Sequence, residues 1–199
     1  MKRRLLPILM TLVLVCALPI WAAFVTSGDV TNPLLTTADA AELTLQGMID
    51  QANAGDTIKL SSNTEVHATL QITKNLTLDL NGCTLRMTGD GSVLKVSGRA
   101  TLTIQDSSAE GTGTITGGNA VDGGGVYIDN NATLKMTGGC ITGCHASYGG
   151  GGIRSSGNLY MSGTAKIEKC TSNWGSDDAI WNKEGVIYAD GGTVDGTVN

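Results

Sequence analysis

Proline is scarce in this chain, with 3 residues in 199, and the sequence has a single phenylalanine, two histidines and an aromatic content of only 4%. Glycine, at 28 residues, is about twice its usual share, and abundant glycine without proline suits tightly turned β-structure. There is no basic stripe. A formal charge of −5 and a pI of about 4.9 leave nothing to neutralise phosphates, which excludes nucleic acid as a partner. Neither His67 nor His145 sits in a nucleophile or metal motif, and Cys140-x3-Cys144 with His145 has no matching second half for zinc. The glycine runs lack the Lys-Ser/Thr and the helix of a phosphate loop, so they read as turns. No cofactor or metal is implied.

What is present begins with an export signature. Lys2, Arg3 and Arg4 precede an apolar stretch from Leu5 to Val25, and a polar segment then reaches Ala38-Asp39-Ala40, a small-x-small cleavage pattern. Residues 1–40 are expected to be a signal peptide cleaved after Ala40, or else an N-terminal membrane anchor, since the apolar stretch is long enough to span a bilayer. Either reading exports the rest of the chain, to the medium or the cell surface. No second apolar span follows, so any membrane contact would run through the uncleaved N-terminal segment alone.

Residues 41–66 read as a cap helix and first strand. Leu45, Met48, Ile49 and Ala52 fall on one helical face, Thr44 is placed to cap its N-terminus, and Gly55 sits where a left-handed residue would stop it. Beyond Gly55 the apolar period changes to two, in Thr57–Leu60, Leu70–Ile72, Leu76–Leu80 and Thr84–Met87.

Residues 67–199 are repetitive. Gly123–Tyr148 and Gly150–Trp174 align almost throughout, with Val126 on Ile153, Leu134 on Leu159, Met136 on Met161, Ile141 on Ile167, Cys144 on Cys170 and Tyr148 on Trp174, at offsets of 25 to 27 residues. Ile180, Val186, Tyr188 and Val194 continue the pattern as a third copy. Leu76 and Leu78 extend it backwards through Leu102 and Ile104, with extra length around Ser107–Gly113. Short strands at this period bury their apolar side only by stacking on their equivalents, which predicts an all-β solenoid of about five coils. A β-sandwich of regular hairpins is the competing arrangement.

Several segments carry a resemblance: LQGMIDQANAGDTIKL, LTLDLNGCTL, the GGGV and GGGI blocks, and the equivalent strands LTI, LKM and LYM. With these the chain resembles the right-handed parallel β-helix (pectin-lyase-like) superfamily, in particular the glycine-rich repeats of bacterial surface proteins of the adhesin or polymorphic outer-membrane-protein type. The resemblance implies the fold. It leaves function open, because such folds serve polysaccharide lyases, glycoside hydrolases, phage tailspikes and non-catalytic adhesins. Such repeats often carry an inward asparagine where this chain has Cys144 and Cys170. Equivalent residues one coil apart lie within disulfide range, so these two are a disulfide candidate, against the alternative of an inert thiol ladder.

For catalysis, a lyase or hydrolase would draw on Asp177 and Asp178, the one adjacent acidic pair, with Arg154 one coil earlier and Asp122 beside an equivalent turn; the alternative is a solvated acidic turn. For binding, Tyr148, Trp174 and Trp181 could offer rings to sugar faces or shield a corner of the core, with Tyr127 in a nearby segment. The expectation is therefore an exported, non-catalytic, adhesin-like β-helix presenting a face to a glycan or surface protein. The alternative is a carbohydrate-active enzyme or a fragment of one. Because no capping pattern follows the last repeat, the open C-terminal coil is also expected to self-associate or to continue in a longer protein.

Overall fold

The computed structural model describes residues 44–173 and 178–199; the expected signal segment, Trp174 and Asp177 lie outside them. Thr44 accepts the Gly47 N–H at 3.0 Å and starts helix α1 (Leu45–Gln51), which lays Leu45 and Ile49 onto the first coil. The helix ends at Gln51, short of the expected stop. Gly55, at φ 94°, instead turns the chain into the first strand. Gln46 donates to the Gln71 carbonyl and accepts its N–H, so the helix also satisfies an otherwise open strand edge.

The remaining chain winds into a parallel β-solenoid of about five turns. The first coil holds β1 (Thr57–Lys59), β2 (Thr64–Val66) and β3 (Leu70–Ile72). The second holds β4 (Leu76–Asp79), β5 (Thr84–Met87) and β6 (Leu94–Val96). Four strands make the third, β7 (Thr101–Gln105), β8 (Thr114–Thr116), β9 (Asn119–Asp122) and β10 (Val126–Ile128). The fourth repeats that set as β11 (Thr133–Met136), β12 (Cys140–Thr142), β13 (His145–Gly149) and β14 (Ile153–Ser155). The fifth follows with β15 (Asn158–Ser162), β16 (Lys166–Glu168), β17 (Thr171–Ser172) and β18 (Asp178–Asn182), and β19 (Ile187–Asp190), β20 (Thr193–Val194) and β21 (Thr197–Val198) lie beyond it.

Equivalent strands stack into three six-stranded parallel walls, β1-β4-β7-β11-β15-β19, β2-β5-β8-β12-β16-β20 and β3-β6-β10-β14-β18-β21, and a fourth, three-stranded wall, β9-β13-β17. The register is the one read from the repeats: Leu76, Leu102, Leu134 and Leu159 form one inward row, and Leu85, Ile115, Ile141, Ile167 and Val194 another. Most of these side chains are fully buried, each worth about 1.5–3 kcal/mol of transfer free energy.

Departures from the period are expelled outwards. The long connection from β7 to β8 is tied to one carboxylate: Asp106 accepts N–H groups from Gly82 (2.8 Å), Ser108 (3.1 Å) and Gly113 (2.6 Å). The third copy also departs from its expected alignment. Ile187, not Val186, lies opposite Leu159, which puts Tyr188 opposite Tyr160 on the outer face. The Lys183–Gly185 turn takes up one extra residue, and a slip of one residue exchanges the faces of a strand. Val194 returns to the expected partner, Ile167.

The fourth wall forms a fin. In the third to fifth coils the chain leaves the end of the second wall along β9, β13 or β17, and in the third and fourth it returns before the third wall begins. In the third and fourth coils the return runs through a glycine run. Only Gly123 and Gly150 among those runs adopt left-handed φ, at 61° and 66°, so only they are turns. The rest form a ladder of their own, with Gly124 N–H to Gly150 O at 3.3 Å, Gly125 N–H to Gly151 O at 3.1 Å and Gly152 N–H to Ala179 O at 3.0 Å. A Cβ on Gly151 would meet the Thr171 backbone, and one on Gly125 would lie 2.5 Å from Ile141 Cγ2. The two layers of the fin touch backbone to backbone.

Two predictions follow from these contacts. Gly151→Ala is expected to destabilise the fold by about 2–3 kcal/mol, read as a lower unfolding midpoint in denaturant; an unchanged midpoint would show the layers to be separable. The second concerns acid. Burial pushes Asp79 and Asp106 up, but hydrogen bonds from Ser107, Gln105 and Asn81 to the first, and from Gly113, Ser108 and Gly82 to the second, outweigh it and hold both carboxyls below their ordinary value. Their stabilisation is complete above about pH 4 and is lost as pH falls through the lowered folded values. The thermal midpoint should hold from about pH 7 to 5 and fall below about 4, with Asp106→Asn flattening that decline.

Candidate functional site

In five strands of the third wall one residue follows an inward-facing apolar residue and so points to the outer side, in Leu70-x-Ile72, Leu94-x-Val96, Val126-x-Ile128, Ile153-x-Ser155 and Ile180-x-Asn182. The register places these residues in one row, Gln71, Lys95, Tyr127, Arg154 and Trp181, one per strand spacing of about 4.8 Å. Cations and rings alternate along it. Lys95 Nζ lies 5.2 Å from the Tyr127 ring centroid, and the Arg154 guanidinium lies 5.5 Å from Tyr127 and 4.4 Å from Trp181. Tyr148, reaching over from the fin, meets Trp181 edge-on at 5.1 Å.

Arg154 is the centre of the row. Its residue is 9% exposed, and its Nη1 pairs with Asp122 Oδ2 at 3.0 Å. A planar guanidinium can stack on rings and hold a carboxylate at once, which an ammonium cannot do as well. Asp122 Oδ1 and Arg154 Nε have no partner of their own in the protein. A donor and an acceptor thus remain beside the same ion pair.

The row and the fin enclose a corner with two concavities. The larger, about 570 Å³, has Gln71, Lys95 and Tyr127 on the solenoid side and Asp90, Asn119 and Asp122 among its other residues. The turn carrying Asp90 is bound to the fin, since Gly91 and Asn119 exchange hydrogen bonds of 2.7 and 3.1 Å and Asn119 Nδ2 donates to Asp90 Oδ1 at 3.2 Å. The smaller, about 280 Å³, is lined by Tyr148, Gly149, Asp178, Trp181 and Asn199. Tyr148 is 45% exposed and forms its accessible side.

The residues nominated from sequence divide accordingly. Tyr148, Trp181 and Asp178 converge on the small pocket, and Arg154 lies over the Trp181 ring. Trp174 and Asp177 lie outside the described residues. Asp122 and Asp178 flank Gly149 and Gly150, and each is engaged: Asp122 with Arg154, and Asp178 through the Gly150 N–H at 2.9 Å and the Asn199 amide at 3.3 Å. The histidines bond to threonines, His67 to Thr88 at 2.6 Å and His145 to Thr171 at 3.0 Å. Among the described residues no three His, Cys, Asp or Glu side chains converge as a metal site.

Gln71, Lys95, Asp90 and Asn119 were not singled out from the sequence. Reading the middle residue of every apolar-x-apolar triplet in register would have found the first two. Asp90 and Asn119 reach the corner through the fin, which has no apolar period to betray it. A second aromatic pair, Tyr160 and Tyr188, stacks at 5.0 Å with planes 9° apart on the first wall, and depends on the slipped register of β19.

Cys83, Cys140, Cys144 and Cys170 are free thiols in this structure. Set against family profiles, curated proteins and solved structures, the chain matches none, so the parallel β-solenoid and the corner on its flank are the ground for a functional reading.

Proposed function

We propose that the protein is an exported, non-catalytic binding solenoid of adhesin-like type that holds a glycan chain along the corner between the third wall and the fin. The observation that carries this reading is the small pocket, where Tyr148 and Trp181 stand beside the Asp178 carboxylate and the Asn199 amide. Rings with neighbouring hydrogen-bonding groups match the apolar faces and hydroxyl edges of a sugar. The row from Gln71 to Trp181 adds one polar or aromatic tip per coil, a spacing suited to an extended polymer. Lys95 and Arg154 balance Asp90 and Asp122, which favours a neutral chain over a polyanion. The N-terminal export signature supports this reading, since such polymers lie outside the cell.

A second reading rests on Asp90 and Asp122 lining the same groove, as a glycoside hydrolase would require of its two carboxylates. Asp122 is held by Arg154, so binding is favoured over catalysis.

Titration calorimetry of the chain against a panel of neutral and acidic oligosaccharides tests both. Binding to a neutral glycan should weaken at least about tenfold, or 1.4 kcal/mol, in Tyr148→Ala and in Trp181→Ala, and should be unchanged in Tyr188→Ala. Equal affinity in all three variants, or no glycan binding at all, overturns the proposal. Release of new sugar ends, abolished by Asp90→Asn and Asp122→Asn, would establish the hydrolase.

A further inference from the structure

We infer that Cys144 and Cys170 are a closable dithiol that staples together the two coils forming the aromatic pocket. The register fixes them one above the other. Thr142 pairs with Glu168 on one side and His145 with Thr171 on the other, and the Thr171 N–H donates to the Cys144 carbonyl at 3.0 Å. Cα atoms one strand spacing apart, about 4.8 Å, are within disulfide range, and closing the bond draws the Cβ atoms together by about 1 Å.

Both side chains are 1% exposed and point into the core. Their thiols donate to main-chain carbonyls, Cys144 to Thr142 at 3.6 Å and Cys170 to Glu168 at 3.4 Å, and burial beside one another pushes the Cys144 thiol above its ordinary value. The other cysteines among the described residues are not in register: Cys140 lies opposite Lys166, and Cys83 belongs to the second coil. Burial and the charge of Glu168 push Cys140 up to about 11, leaving it a poor competitor.

Position gives the bond its consequence. Cys144 immediately precedes β13 and Cys170 immediately precedes β17, so the pair lies at the root of the fin. Tyr148 belongs to the fourth coil and Trp181 to the fifth, so a bond between these coils holds the two sides of the pocket in register. The inference does not depend on what the pocket binds.

The oxidant is a small external disulfide such as oxidised glutathione. One of the two cysteines, as its thiolate, attacks one of the oxidant's sulfurs and releases one thiol, and the thiolate of the other then attacks the protein sulfur of that mixed disulfide and releases the second. The protein loses two electrons and two protons, and the acceptor disulfide becomes two thiols. Since Gly152 lies against the Cys170 sulfur in the closed coil, the exchange occurs as the fifth coil docks during folding.

The test is oxidative refolding of the full chain in a glutathione buffer, followed by denaturation, thiol alkylation and peptide mapping. Expected is a linked peptide pair containing Cys144 and Cys170, released by reductant and formed equally in the Cys83→Ser/Cys140→Ser variant. The oxidised protein should melt several degrees higher than the reduced one and show slower hydrogen exchange in β17 and β18, differences that Cys144→Ser removes. Alkylation of both residues after oxidative refolding, or linkage of either to Cys83 or Cys140, overturns the inference.

Discussion

Parallel backbone pairing between successive coils is the constraint from which the rest of this molecule follows. Each coil must return to the same register, because a leucine or isoleucine displaced by one residue would leave the core and face water. Inside, this yields unbroken apolar rows such as Leu102, Leu134 and Leu159. Outside, it aligns whatever residues occupy the alternate positions. The cation and ring column from Lys95 to Trp181 is a by-product of the same pairing that builds the core.

Surplus chain has nowhere to go but sideways. Between β7 and β8 it becomes a loop whose backbone donors are collected by Asp106, and between the second and third walls it becomes the fin. At the glycine runs the layers of the fin meet without room for a Cβ, which explains the glycines: they let a returning backbone lie against an outgoing one and still donate to the coil above. Without that close return there would be no wall beside the Tyr127 and Arg154 row, and the corner would be a flat sheet face.

Arg154 shows how polar chemistry is accommodated so near the core. Its charge is largely removed from water, a cost offset by Asp122 and by two ring faces. The arrangement also spends both charged groups on each other. An arginine and a carboxylate met along the chain as separate candidates are joined here in one ion pair whose guanidinium lies against the rings of Tyr127 and Trp181. Similarly Asp178 secures the Gly150 turn, so its acidity serves the fin while its side chain borders the pocket.

Much of the architecture was legible in the sequence, because inward residues repeat and repetition is visible without coordinates. Val126 on Ile153, Ile141 on Ile167 and Leu76 on Leu102 are pairings of the solenoid, and Thr44 caps the helix as its position suggested. The site was legible only in fragments. Tyr148, Trp181, Asp178 and Arg154 could be nominated singly, while Asp90, Asn119, Lys95 and Gln71 carry no repeating signal, and the one-residue slip that turns Tyr188 outwards is hidden in a turn. By itself the sequence determined the period, the inward rows and hence a stacked parallel fold, since apolar burial at fixed spacing admits few other solutions. Only the tertiary structure decided which outward residues meet, because that depends on how surplus chain folds back against the walls, a matter of backbone contact that no hydrophobic pattern encodes.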